Sequence, residues 1–488
     1  MSDVLRDLQP TRLWELFGNI ARVPHGSLNE KALAGSLRLM AEEAGLTVQE
    51  DTTGNLCIAV PASPGYEKAP IVVLQGHLDM VCEKNKEVDF DFTKDAIRLV
   101  RDGDWIRADG TTLGADNGIG VAAALAVAFT NEAVHGPLEI LLTVNEETGL
   151  TGALNLSPSL LKGRILLNLD SERTGGVCIG CSGGGGVTTF LPVNLVEPPG
   201  DSVGLEVKLA GLQGGHSGID IHENRGNAVK LTARTVIALG ALGVTLSDFH
   251  SGDKLNAIPR EGFATCALSR KQFPRVQEII TRQSDLFKTE FPNESALQIS
   301  AAQTNVPPTV LSTASSTTAL AMLMAFPHGV LAMNRELDNL VETSNNLSSA
   351  HMKGNVFVVH NTPRSSLPQA LQTTIDQIVA VADLAGGTNQ LEDSYPGWQP
   401  NPHSKILKLF EETYHEIFGN QPRRAATHAG LECGVIGDKY EGMDMISFGP
   451  TIVNAHSPDE AVSISSVQDF WKLLLALLEN SGKQGGTQ

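Results

Sequence analysis

Ile71-Val72-Val73-Leu74-Gln75-Gly76-His77-Leu78-Asp79-Met80 is the stretch from which the fold unfolds. An apolar, β-branched run that leads straight into a histidine and an aspartate predicts a buried strand. Because alternate strand residues point the same way, His77 and Asp79 leave it on one face. Alone, a His-x-Asp at a strand end is more often an ordinary polar terminus than half a metal site. The balance shifts because the same pattern, an apolar run ending in acidic residues or histidine, recurs downstream.

Residues 138–144 form a second such run and end in Asn145-Glu146-Glu147-Thr148-Gly149; residues 165–169 form a third and end in Asp170-Ser171-Glu172. Between the first and second lies Thr112-Leu113-Gly114-Ala115-Asp116-Asn117-Gly118-Ile119-Gly120, followed by an Ala-rich run over 121–129. Its glycines suit a tight loop at a helix N-terminus, and an Ala-rich helix packs closely on a sheet. Asp116 therefore sits at a loop-to-helix junction, where an isolated aspartate would be an N-cap. Strands separated by helical stretches predict an α/β sheet, in which ligands collect at the strand C-termini. His77, Glu146, Glu147 and Asp170 all occur at such ends.

At 488 residues the chain exceeds the size at which one core keeps growing, which predicts two domains. Its 41% hydrophobic and 19% charged residues are those of an ordinary globular protein, and its 48 glycines follow no repeat. Thirty-six basic against 55 acidic residues, a net charge of -19, argue against nucleic acid and anionic membranes as partners and leave many carboxylates for metals. Met1-Ser2-Asp3-Val4-Leu5-Arg6-Asp7 lacks the basic-then-apolar order of a targeting signal, and no apolar run is long enough to span a bilayer, so a cytoplasmic location is expected. Six cysteines in so long a chain make no disulfide framework; the Cys178/Cys181 pair has thioredoxin-like spacing but no second Cys/His pair nearby, and reads as incidental.

Along the chain, residues 11–21 are helical, and Ser27 with Glu30 resembles a capping box that opens a helix through Ala44, stopped by Gly45. Residues 48–60 read as a hairpin turning at Thr53-Gly54-Asn55, and 89–107 as irregular, partly stranded sequence. After the glycines of 180–186 the character changes to strand-then-helix alternation at 205–209, 227–242, 262–268, 274–287, 354–360 and 367–385, which predicts a second domain of two α+β halves. Tyr395-Pro396-Gly397-Trp398-Gln399-Pro400 reads as a linker, after which a helix (404–418), strands near Ala425 and over 443–447, a loop carrying His456, and a closing helix (466–478) restore α/β character. The expectation is thus an α/β catalytic domain, its mixed sheet covered by helices, split between 1–186 and 395–488, with an α+β domain inserted over 187–394.

Two imidazoles, His77 and His456, and three carboxylates, Asp116, Glu147 and Asp170, fit a pair of first-row divalent ions: one carboxylate bridges, and each ion takes one histidine and one further carboxylate. A donor set of imidazole and carboxylate without thiolate suits zinc, cobalt or manganese. Asp116, on its Gly-bounded turn, is the expected bridge. Two ions about 3.5–4 Å apart would share a water whose pKa falls from about 15.7 toward about 7. Neighbouring residues leaving a strand diverge, so Glu147 can bind metal while Glu146 stays beside that water as general base; taken alone, the pair would be a solvated acidic turn. Asp79 is expected to orient the His77 ring and raise its basicity.

Assembled, these residues resemble the di-metal peptidases that include aminoacylase, glutamate carboxypeptidase and carnosinase. Gln75 to Met80, Thr111 to Gly120, Glu146-Glu147 and His456-Ser457-Pro458-Asp459-Glu460 occur in family order. The resemblance implies that His77, Asp116 and Asp170 hold one ion and Asp116, Glu147 and His456 the other, with Glu146 as base and Asp79 as the acid that orients histidine. It also implies that the inserted domain is a lid. There, His216 in Gly214-Gly215-His216-Ser217-Gly218 would donate to the tetrahedral oxyanion, Asn256 would be a lid asparagine, and Arg364 would take the substrate carboxylate. For His216 the residues alone suggest a loop histidine capping a nearby helix. The lid histidine acts within one chain or across a homodimer, and the sequence leaves both open.

The implied activity is hydrolysis of unblocked dipeptides of broad specificity, Xaa-His included. The alternatives are an N-acyl amino acid deacylase, tripeptidase or carboxypeptidase on the same scaffold, or a non-catalytic metal- or peptide-binding protein.

Overall fold

A computed structural model describes residues 3–130, 132–335, 337 and 339–483. Met1 and Ser2, the head of the N-terminal stretch considered above, lie outside them. The chain forms two compact units. The first runs to Cys181 and adds Trp398–Ala426 and everything from Leu431; the second comprises Ser182–Gly397 and Thr427–Gly430.

The first unit carries an eight-stranded sheet built from β1 (Thr47–Glu50), β2 (Leu56–Val60), β3 (Val72–His77), β4 (Leu138–Thr143), β5 (Ile165–Asn168), β6 (Gly176–Cys181), β7 (Arg423–Thr427) and β8 (Asp444–Ser447). The strand order is β1-β2-β4-β3-β5-β8-β6-β7. β4, β3, β5 and β8 run parallel, and the β1-β2 hairpin joins antiparallel to β4, so the sheet is mixed. All six residues of β3 and all six of β4 are buried, as befits central parallel strands, whose sequences are apolar runs rather than alternations.

The helix Ala115–Phe129 packs on β3, and its alanines are almost wholly buried. Two glycines set how closely it approaches. A Cβ on Gly76 would stand 2.2 Å from Asn117 Oδ1, and one on Gly120 would stand 2.5 Å from the Leu169 carbonyl oxygen. That contact lets Asn117 Nδ2 donate to Leu169 O at 2.9 Å, which ties the helix start to the exit of β5. A separate four-stranded sheet links Leu99–Asp102 and Trp105–Ala108 to Ala461–Ser463 and Ile452–Val453, and the loop between the last two strands carries His456.

The expected capping box is absent. The helix starts at Lys31 with no side-chain cap, while Ser27 and Glu30 bond to other loops of the unit. The run of glycines expected to precede the domain boundary is instead the start of a strand, Gly183–Pro192. A Cβ on Gly184 would stand 2.6 Å from the Tyr395 hydroxyl oxygen and 2.7 Å from its ring, and Tyr395 ends the neighbouring strand Thr388–Tyr395. The connections between units therefore fall at Cys181/Ser182 and Gly397/Trp398 instead of 186/187 and 394/395. They run paired, with reciprocal amide bonds between Cys181 and Trp398 at 2.9 and 3.0 Å.

Among the described residues, the second unit holds one continuous nine-stranded sheet rather than two halves, with a separate two-stranded sheet of Leu195–Val196 and Val310–Leu311. Its helices Ala228–Leu239, Val276–Glu290, Thr313–Ala325 and Pro368–Leu384 all contribute to one large hydrophobic core with the larger sheet. Among the described residues of the chain, no helix is long and apolar enough to cross a membrane.

Candidate metal centre

The parallel register of β3, β4 and β5 lines up the residues that leave them. His77 is level with Thr143, and Gln75 is level with Asn168, so Asp170 falls level with His77 across the β3-β5 pair. Glu146 and Glu147 follow just beyond Thr143. Asp116 comes from above the strand ends: Gly114, at φ 71, takes the left-handed conformation that glycine adopts readily, and Asp116 and Asn117 keep non-helical backbone angles inside the first turn. Asp116 is thus not the N-cap its position suggests; Gly114 is, and the aspartate side chain is free to turn elsewhere.

His77 Nε2 lies 3.1 Å from Asp116 Oδ1 and 3.3 Å from Asp170 Oδ1. His456 Nε2 lies 3.2 Å from Asp116 Oδ2 and 3.0 Å from Glu147 Oε2. Asp116 therefore turns one oxygen to each histidine. The two groups His77–Asp116–Asp170 and Asp116–Glu147–His456 each bring their donor atoms within 4.8 Å of one another. A third group, His77–Glu146–Glu147, meets the same limit, but Glu146 is absent from the cluster around His456.

The chemistry of these atoms calls for cations. His77 Nδ1 faces two acceptors, the Asp79 carbonyl oxygen at 3.0 Å and Asp79 Oδ1 at 3.5 Å, so this nitrogen carries a ring proton and Nε2 is the atom turned to the cluster. Nε2 faces two carboxylate oxygens, an imidazole and carboxylate donor set of the kind that holds a divalent ion. Glu147 Oε1 and Asp170 Oδ1 are buried without a hydrogen bond. Donors that share one tetrahedral ion at bonds of about 2.0–2.1 Å stand roughly 3.3 Å apart, close to the separations found here. The residues fit a pair of ions.

The carboxylates and imidazoles also act strongly on one another's protonation. Burial opposes charge on His77, but Asp170, Asp116 and Asp79 outweigh it and raise the imidazole well above its usual range. Asp116 and Glu147 push His456 up to about 11. Burial also opposes ionisation of Asp116, yet His456 and His77 hold its carboxyl below the ordinary range. Asp170 is pushed up to about 6 by burial, with repulsion from Asp116 and Glu147, against the pull of His77. Burial raises Glu146 well above a normal glutamate, and Asp170, Glu432 and Glu147 add to it against His77.

The sequence gives Asp79 one task, and the structure adds another. Its Oδ1 accepts from Glu146 N at 2.9 Å and its Oδ2 from Glu147 N at 3.1 Å, so one carboxylate holds both the His77 ring and the turn that carries the two glutamates.

Three further carboxylates were not singled out from sequence. Glu460 Oε2 accepts from Leu113 N and Gly114 N at 2.7 and 3.1 Å, and Oε1 from Ala115 N and Asp116 N at 2.8 and 3.3 Å. It clamps the turn that presents Asp116 from the same loop that supplies His456. Glu432, buried beneath the strand ends, accepts from Gln75 Nε2 at 2.6 Å and Thr143 Oγ1 at 2.7 Å, and burial pushes it up to about 7. Burial, with repulsion from Asp116 and Asp170, pushes Glu172 up to about 8. The only sequence signal was position: Glu172 follows Asp170 by two residues, and Glu460 follows His456 by four.

Within the second unit, the three lid candidates lie close together. His216 forms a bridge with Ala257, and Asn256 O accepts from Ser217 N at 2.8 Å. Arg364 Cδ is 3.3 Å from where a Cβ on Gly218 would stand, and Arg364 Nη1 donates to Tyr395 Oη at 2.8 Å. His216 Nδ1 accepts from Gly218 N and Ile219 N at 3.1 and 3.0 Å, which leaves the ring proton on Nε2 as a donor. Burial and then the Arg364 cation lower its pKa, so the ring stays neutral at pH 7.

Residues 73–480 match the peptidase family M20/M25/M40. The chain is 40% identical to the cytosol non-specific dipeptidase of Escherichia coli (strain K12), over 97% of this chain and 98% of that protein. The aminoacylhistidine dipeptidase of Vibrio alginolyticus superposes with a TM-score of 0.90 at 42% identity, covering 98% of each chain. A tripeptidase from Staphylococcus aureus, at 16% identity, a TM-score of 0.56 and coverage of 98% of this chain and 100% of its own, shares the fold. From the match across most of its length and the 40% identity, the chain belongs to the peptidase family M20/M25/M40.

Proposed function

We propose that this chain is a cytosolic di-metal dipeptidase that hydrolyses unblocked dipeptides of broad side-chain range, Xaa-His among them. The observation that carries the reading is Asp116, which turns one carboxylate oxygen to each of two histidine-carboxylate clusters, with the half-buried Glu146 alongside. His77, Asp116 and Asp170 would hold one ion and Asp116, Glu147 and His456 the other; zinc suits these donors best, with cobalt and manganese as alternatives, and the ions would supply Lewis acidity to the scissile carbonyl and to water.

The residues then divide the work. Glu146 takes a proton from the attacking water and returns it to the leaving amine, and burial, its largest electrostatic influence, raises its carboxyl above the usual glutamate range. Asp79 keeps the His77 ring and the Glu146-Glu147 turn in fixed relation. His216, Arg364 and Asn256 keep the roles the family resemblance gives them: the His216 Nε2–H as donor to the developing oxyanion, Arg364 as partner of the substrate carboxylate, and Asn256 as a lid asparagine. A cytosolic site of action is supported by the cysteine content, six in 488 residues, too few for a disulfide framework.

The test is a reconstitution with zinc, cobalt or manganese, with metal analysis and a panel of unblocked dipeptides, N-acetylated analogues and tripeptides. Two ions per chain and preferred cleavage of unblocked dipeptides support the proposal. Equal or better cleavage of the blocked set overturns it in favour of a deacylase, and no turnover with one ion or none leaves a binding protein. Assembly is read by light scattering together with mixing of inactive Glu146→Ala and His216→Ala chains; restored turnover in the mixture places His216 in a partner's centre within a homodimer.

A further inference from the structure

Three successive amides of the turn after β4 are held by carboxylate oxygens. Asn145 N donates to Glu30 Oε1 at 2.9 Å, Glu146 N to Asp79 Oδ1 at 2.9 Å, and Glu147 N to Asp79 Oδ2 at 3.1 Å. Two of the groups that organise this arrangement come from one short loop far away in sequence. Ser27 Oγ donates to Asp79 Oδ2 at 2.8 Å, so that oxygen is shared between the serine and the Glu147 amide. Glu30 Oε1 accepts from Asn145 N and also from Leu28 N at 3.0 Å.

The loop itself is anchored to the exit of β3, where Met80 N donates to His25 O at 3.2 Å, and it closes on itself through Asn29 N to Gly26 O at 2.8 Å. Leu28 keeps a left-handed backbone at φ 66, an uncommon state for a bulky residue, and its amide is turned onto Glu30. Asn145, at φ 51, holds the same conformation at the other end of the Glu30 contact. Backbone in this region persists where its surroundings over-determine it, and such sites cluster around function.

We propose that Ser27 and Glu30 are positioning residues for the reaction: Ser27 fixes the rotamer of Asp79, Glu30 fixes Asn145, and together they set where Glu146 and Glu147 stand. Neither touches substrate or metal. The inference rests on the dipeptidase reading, because it assigns these residues a part in that reaction's geometry. It accounts for a serine and a glutamate three residues apart ahead of a helix they do not cap.

The test is steady-state kinetics at saturating metal on Ser27→Ala, Ser27→Thr, Glu30→Ala and Glu30→Gln, with metal content and thermal melting measured beside them. Small misplacement of reacting groups costs up to about 100-fold in rate. Ser27→Ala and Glu30→Ala are expected to lower kcat roughly 10- to 100-fold, with KM within about twofold and two ions still bound. Ser27→Thr, which keeps the hydroxyl, and Glu30→Gln, which keeps an acceptor oxygen, are expected to recover kcat to within about threefold of the original. Should Glu30→Ala not fold, Glu30→Asp, one methylene too short to reach Asn145, carries the same expectation. Asp444→Ala serves as a control for general destabilisation: Asp444 caps the helix Lys405–Phe418 through Lys405 N and Ile406 N, so its loss lowers the melting temperature and leaves kcat unchanged. The inference is overturned if the alanine variants keep kcat within twofold, or if the conservative variants are as impaired as the alanines. An unmodified chain that binds two ions yet cleaves no dipeptide in the same assay would sink the proposed function instead.

Discussion

Glu460→Gln isolates the role of a residue that would never contact an ion. The carboxylate gives one oxygen to the Leu113 and Gly114 amides and the other to those of Ala115 and Asp116. Glutamine keeps one oxygen and turns an NH2 group toward the other pair, so two buried amide donors lose their acceptor. At about 1–3 kcal/mol for each buried donor left unpaired, less the relief from no longer burying a charge among carboxylates, the turn is destabilised by about 2–4 kcal/mol. Since that turn presents the bridging candidate, metal affinity is expected to fall about 10- to 100-fold, the usual penalty for disturbing the groups that orient a ligand. Amide hydrogen exchange over residues 112–118 reads the turn directly, and competition with a chelator reads the affinity. Faster exchange confined to that segment with weaker binding is the expected pair of results. Unchanged exchange and unchanged affinity would show that the clamp is ornamental and refute the reasoning.

Other substitutions probe separate links. Glu146→Gln or Glu146→Ala is expected to keep both ions and lose at least 100- to 10,000-fold in kcat, the range for a positioned general base; turnover retained in a metal-replete variant would remove Glu146 from that role. His216→Ala is expected to lower kcat about 100- to 1,000-fold with a smaller change in KM, as for loss of one oxyanion donor, and an effect on KM alone would point to ground-state binding. Gly76→Ala places a methyl 2.2 Å from Asn117 Oδ1, so the helix start must shift; overpacking of about 1–3 kcal/mol, seen as a lower melting temperature together with lost metal affinity, is expected, and a fully active, equally stable variant would contradict the close approach.

The central parallel strands were legible because burial on both faces writes them as continuous apolar runs, and the acidic residues at their ends stood out by contrast. The register that makes Asp170 level with His77 was not written locally; it follows from how the strands pair. Ser27 and Glu30 satisfied a local helix-capping pattern, but tertiary partners claimed both side chains: Asp79 is 52 residues from Ser27, and Asn145 is 115 from Glu30. Glu460 was hidden for the same reason, since its four donors lie more than 340 residues away.

In the second unit, Val341–Lys353 was missed because its Thr, Ser and Asn residues are buried and show no apolar alternation. The side-chain amide nitrogens of its asparagines pair with neighbours, as in Asn345 Nδ2 to Asn361 Oδ1 at 2.9 Å and Asn346 Nδ2 to Ala257 O at 2.8 Å, so burial leaves no hydrophobic signature. Glycines 183–186 read as preceding the domain boundary because composition does not reveal that the Tyr395 and Glu392 side chains and the backbone at 395–397 press against three of them.

Anomalous diffraction from crystals of the zinc-reconstituted chain puts the whole assignment to its hardest trial. The expected map holds two peaks about 3.5–4 Å apart, one against His77 and Asp170, the other against Glu147 and His456, with Asp116 bound to both. A single peak, or two peaks with Asp116 bound to only one of them, would contradict it.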